Sequence, residues 1–78
     1  MNIKEELQKV FREVFFDDSI VITESTTADD IEEWDSLSHI TLIQMIESRF
    51  NITFTTEEIL GAKNVGEFIG YIEKKLQS

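Results

Sequence analysis

Apolar residues recur every three or four positions near the start of the chain, where Ile3, Leu7, Val10, Phe11, Val14 and Phe15 are interleaved with Lys4, Glu5, Glu6, Lys9, Arg12 and Glu13. Side chains three and four apart share one face of a helix, so this pattern predicts an amphipathic helix over 3–16 with a single stripe turned to a core. From Asp17 to Asp35 the periodicity fades. Asp17, Asp18, Ser19, Thr23, Ser25, Thr26, Thr27, Asp29 and Asp30 favour caps and turns, because their short polar side chains bond to nearby backbone, and the stretch reads as a long loop. Ile20, Val21, Ile22, Ile31 and Trp34 are too apolar for a free linker, so some of them are expected to fold back over the core. A loop of this length in so small a chain usually serves a function.

Helical spacing resumes over 36–50, with Leu42, Ile43, Ile46 and Phe50 facing the core and Leu37, Ile40 and Met45 partly outside that stripe. Asp35 is well placed as N-cap, and Asn51 suits the left-handed conformation that ends a helix. "TTEE" at 55–58 has the form of a capping box and opens a short helix through Leu60, stopped near Gly61. "NVGE" at 64–67 is a similar start, followed by a stripe of Val65, Phe68, Ile69, Ile72 and Leu76. "NITFTT" at 51–56 alternates polar and apolar residues, but a lone strand would have no partner. The expected fold is all-α: a small four-helix bundle with three longer helices, one short one and a long loop between the first two.

The chain has 78 residues, enough for one domain spanning 1–78 with a modest core, and its 41% hydrophobic content separates it from a disordered acidic tail. With no cysteine and one histidine, disulfides and zinc sites built from Cys and His pairs are excluded. The net charge of -9 opposes binding to nucleic acid or to an anionic membrane surface and favours a basic protein partner. No run approaches membrane-spanning length, and "MNIKEELQKVF" is amphipathic rather than a signal-peptide core, so a cytoplasmic monomer is expected. The acidic run Asp29, Asp30, Glu32, Glu33 and Asp35 lacks the glycine and spacing of a calcium loop and reads as solvated, with no metal site. "NIT" at 51–53 matches a glycosylation sequon, which has no force without a secretion signal.

Ser36 stands at the first turn of the predicted second helix. A phosphate ester on its hydroxyl would lie near the positive end of the helix and its free N–H groups. Asp35, Ser36 and His39 also invite a hydrolase reading. Catalysis needs a base within reach of the nucleophile, a group that orients the base, and oxyanion donors, and the sequence shows no pocket that would supply them.

In this register the chain resembles the acyl carrier protein family over almost its whole length. The resemblance rests on Asp35-Ser36-Leu37, the long loop before it, the apolar helix ending "IESRF", and the later "TTEEI" and "NVGEFIGYI". It implies that Ser36 receives 4'-phosphopantetheine from coenzyme A through a phosphopantetheinyl transferase, which supplies the thiol the chain lacks. The chain would then carry acyl groups as thioesters for acyl-transferring or acyl-modifying enzymes, without being an enzyme itself. The same resemblance implies partner contacts through Asp35, Leu37, Ile40 and Glu47, and a cleft for cargo with Leu42, Ile46, Phe50, Ile59, Leu60 and Ile72 as candidate lining. The chain departs from the family where Ser38, Thr41 and Gln44 leave the second helix short of acidic residues and where Glu33 and Trp34 precede the motif. These departures point to a specialised carrier in lipid, polysaccharide or secondary-metabolite assembly. Asp35, where peptidyl carriers more often have histidine, argues against that branch. The rival reading is an unmodified acidic helical module for protein interaction.

Overall fold

The computed structural model describes residues 2–77, which form four helices: α1 (Ile3–Phe15), α2 (Ser36–Phe50), α3 (Thr56–Gly61) and α4 (Val65–Leu76). Their ends follow from local chemistry. Asn2 caps α1 by accepting from Glu5 N–H, Asp35 caps α2, Thr55 and Glu58 form a reciprocal capping box on α3, and Asn64 caps α4 by accepting from Glu67 N–H. Phe16 and Asn51 end the first two helices in the left-handed conformation, at φ 53° and 56°. α3 ends at Gly61, where the sequence places its stop; Gly61 keeps a negative φ, and the chain leaves through Ala62, which is extended.

α1 packs against α2 and, less extensively, against α4. Leu7, Val10 and Phe11 meet Leu42, Ile43, Ile46 and Phe50 of α2 and Val65, Phe68 and Ile72 of α4 in one core. Leu76, expected on the final stripe, is 43% exposed. α3 contributes no buried residue. It is held by half-buried Ile59 packed against the core, by the Glu58–Lys75 ion pair at 2.7 Å and by a bond from His39 to the Ile59 carbonyl.

The long loop is folded onto this bundle. Ile22, Ile31 and Trp34 enter the core while Val21 stays exposed. Backbone bonds tie the loop to the start of α4, from Val65 N–H to the Thr26 carbonyl at 2.9 Å and from Gly66 N–H to the Glu24 carbonyl at 2.8 Å. Gln8 accepts from Ile22 N–H, and Arg12 Nε donates to the Ile20 carbonyl. The loop is therefore held from both α1 and α4 when it delivers Trp34 and Asp35 to the head of α2. No helix among the described residues is long and apolar enough to cross a membrane.

Candidate functional site

At the head of α2 two serines stand on the same turn with different duties. Asp35 Oδ1 accepts from the N–H groups of Leu37 and Ser38, both at 3.0 Å. Ser38 Oγ accepts from Asp35 N–H and donates to the Glu33 carbonyl, both at 2.8 Å. The bonds closing this box hold the Asp35 carboxyl below its ordinary range, the Ser38 N–H contributing most, and so favour the charged form of the cap. Ser36, between them, is exposed, and its hydroxyl makes no hydrogen bond among the described residues. Of the two hydroxyls, Ser36 presents the one that an external reactant can reach.

The Leu37 and Ser38 N–H groups that the sequence offers to a phosphate are thus already used by Asp35. An ester on Ser36 would keep the favourable end of the helix dipole but would face the Asp35 carboxylate, which pushes a second anion outward. The residues present fit a group attached through an exposed oxygen and extended into solvent.

Beside Ser36 opens a mostly apolar cleft of about 630 Å³ between α2, α3 and the end of the loop. Asp35 and Ser36 lie at its mouth, Ile40, Ile59 and Leu60 along its walls, and Ala28 on its rim. Buried Trp34 and Ala62, with half-buried His39, form its floor. Of the residues considered for a cargo cleft, Ile59 and Leu60 line this one, whereas Leu42, Ile46, Phe50 and Ile72 are sealed in the core. Leu37 is 82% exposed and Leu60 74%, with Ile40 about half so, and together they surround Ser36 with apolar surface. Glu47 is half-buried and spends Oε2 on the Phe54 N–H at 2.8 Å.

His39 closes the hydrolase reading. Its Nδ1 lies 3.0 Å from Trp34 Nε1 and its Nε2 lies 2.9 Å from the Ile59 carbonyl oxygen. Both nitrogens are taken, so neither is available as a base for Ser36. Sequence reasoning placed His39 at the surface or partly buried and missed this role. A loop residue meeting a helix residue five positions on has no periodic signature, and aromatic character at Trp34 was the one available cue.

The family model described as a phosphopantetheine attachment site matches residues 3–72. The chain belongs to the acyl carrier protein family. No curated protein gives a significant match. Among solved structures, the solution NMR structure of the holo acyl carrier protein from Geobacter metallireducens is similar, with 45% sequence identity and a TM-score of 0.92, covering 99% of this chain and 88% of that one. As an acyl carrier protein the chain is a carrier and not an enzyme, with 4'-phosphopantetheine as its prosthetic group. Its kinds of partner are a phosphopantetheinyl transferase and enzymes that handle acyl groups.

Proposed function

We propose that this acyl carrier protein bears 4'-phosphopantetheine on Ser36 Oγ and carries acyl groups as thioesters, as a single-domain cytoplasmic monomer serving a specialised lipid, polysaccharide or secondary-metabolite assembly. The observation that carries the reading is the contrast at the head of α2: Ser36 is exposed and unbonded while Ser38, two residues on, is locked in the cap. The bound group would supply a thiol. The protein's own residues supply the rest: Asp35 and Ser38 hold the attachment turn, and Leu37, Ile40 and Leu60 give a partner an apolar footing around it. Exposed apolar residues next to a site commonly anchor an interface.

The acidic contribution to docking comes from Asp29, Glu32 and Glu33 on the loop, which are exposed, with Asp35 beside Ser36 and Glu47 farther along α2 offering its remaining oxygen. The first turn of α2 carries no acidic residue. A partner whose basic groups face the loop rather than the length of α2 fits this distribution, and it supports a dedicated set of enzymes.

The thioester is tested with the protein loaded from coenzyme A and then acylated. Neutral hydroxylamine attacks the acyl carbonyl carbon, the C–S bond breaks, the acyl hydroxamate leaves and the thiol is restored. The expected result is complete return to the mass of the unacylated form; an acyl mass that survives hydroxylamine would contradict a thioester.

A further inference from the structure

The floor of the cleft is a crossbar made from three separate segments. The Trp34 indole meets Phe11 edge-on with ring centroids 5.3 Å apart and lies over Phe68 at 6.1 Å. The His39 ring lies nearly parallel to the indole at 6.1 Å and tilted to Phe68 at 5.7 Å. A carbonyl oxygen only accepts, so His39 Nε2 carries the proton donated to Ile59, which leaves Nδ1 to accept from the indole N–H. One neutral imidazole therefore joins the end of the loop, α2 and α3 through two hydrogen bonds of fixed direction.

This matters for cargo because an apolar chain passing between α2 and α3 toward the core would have to displace that ring. It would leave an indole N–H and a carbonyl without partners in an apolar setting, and it would meet Phe11 and Phe68, which are fully buried. α3 has no fully buried residue, and on the side facing α2 the crossbar, with half-buried Ile59, holds the gap closed, while the Glu58–Lys75 pair ties α3 to α4. The outer cleft must also receive part of any arm reaching in from Ser36.

Resting on attachment at Ser36, we propose that His39, pinned between Trp34 and Ile59, is a specificity residue that sets cargo length. It confines acyl groups to the outer cleft, which shelters short chains, and leaves longer chains in solvent. The apolar surface around Ser36, with Leu37 and Leu60 exposed, would then guide the emerging chain onto a partner enzyme rather than into the carrier.

The test loads the protein with butanoyl-, octanoyl- or hexadecanoyl-phosphopantetheine from the corresponding coenzyme A thioesters, with intact mass confirming each product. A failure of loading at this step contradicts attachment and is seen before any cargo is compared. The rate of thioester cleavage by hydroxylamine is then measured against chain length in the native protein and in His39→Ala. In the native protein the octanoyl and hexadecanoyl forms should be cleaved at least as fast as the butanoyl form. In His39→Ala the octanoyl form should be slowed by about tenfold, the protection given to a chain held inside for about nine-tenths of the time. Circular dichroism establishes that the variant is folded; if it is not, Trp34→Phe, which keeps a ring but shortens the floor and removes the N–H donor, takes its place with the same expectation. Strong protection of octanoyl or hexadecanoyl cargo in the native protein would overturn the proposal, and so would a folded variant that gains no protection.

Discussion

Ser36 and Ser38 are chemically identical side chains whose surroundings assign them opposite work, one left free and the other tied to Asp35 and Glu33. The last helix divides its glycines in the same way. A Cβ on Gly66 would come within 3.0 Å of the Glu24 carbonyl oxygen, while one on Gly70 would meet nothing within 4 Å. Gly70→Ala should therefore stabilise the protein by about 1 kcal/mol through helix propensity, raising Tm by roughly 4–8 °C. Gly66→Ala should lower Tm, because the Glu24 carbonyl, held there by its bond from Gly66 N–H, and the capping Asn64 side chain would each have to give by a few tenths of an ångström. Thermal melts of the two variants should move in opposite directions. Asp35 as a cap was legible in the sequence because aspartate before an apolar repeat has a local reason to be there. Ser38 was not, since the recognised capping box carries Glu or Gln at that position and here a hydroxyl does the same job. The purpose of Gly66 was equally hidden, because it depends on a contact with residues forty positions away.

α3 shows how an element with no core of its own is held. Glu58 Oε1 accepts from Thr55 N–H at 2.8 Å and from Lys75 Nζ at 2.7 Å, closing the capping box and anchoring α3 to α4 at once. The bond from Lys75, followed by that from Thr55, lowers the Glu58 pKa below the ordinary carboxylate value. A carboxylate whose folded pKa lies below its unfolded one contributes stability that is present above the unfolded value and is lost as pH falls through the folded one. Native protein should therefore melt above Glu58→Gln at pH 7, and the gap should narrow steadily below about pH 4.5, the ordinary value for glutamate. An unchanged gap at pH 3 would mean that Glu58 acts through packing instead. "TTEE" announced this helix correctly because both halves of its cap lie within four residues. Its end near Gly61 was legible too, whereas its dependence on His39 and Lys75 arises from contacts with other helices and leaves no local trace.

For the molecule as a whole, a net charge of -9 is carried on a body with a Cα radius of gyration of 11.4 Å. Arg49 offsets part of it by reaching from α2 to Glu13 at 2.7 Å and Glu6 at 3.7 Å on α1. The remaining carboxylates repel over distances comparable with the Debye length, so added sodium chloride up to physiological strength should raise Tm. A flat salt response would show that the ion pairs already compensate the excess. The four-helix architecture was legible because each helix has its own stripe and cap, and the stripes of α1, α2 and α4 meet in one core. How the loop folds back, and hence the floor beside Ser36, was not, because Trp34 and His39 find each other only after that core has formed. The central claim is attachment at Ser36, and the most direct measurement is intact mass after incubation with coenzyme A, magnesium and a broad-specificity phosphopantetheinyl transferase. The native chain and Ser38→Ala should each gain one phosphopantetheine and Ser36→Ala none. A gain on Ser36→Ala, or none on the native chain with a transferase shown active on another carrier, would contradict it.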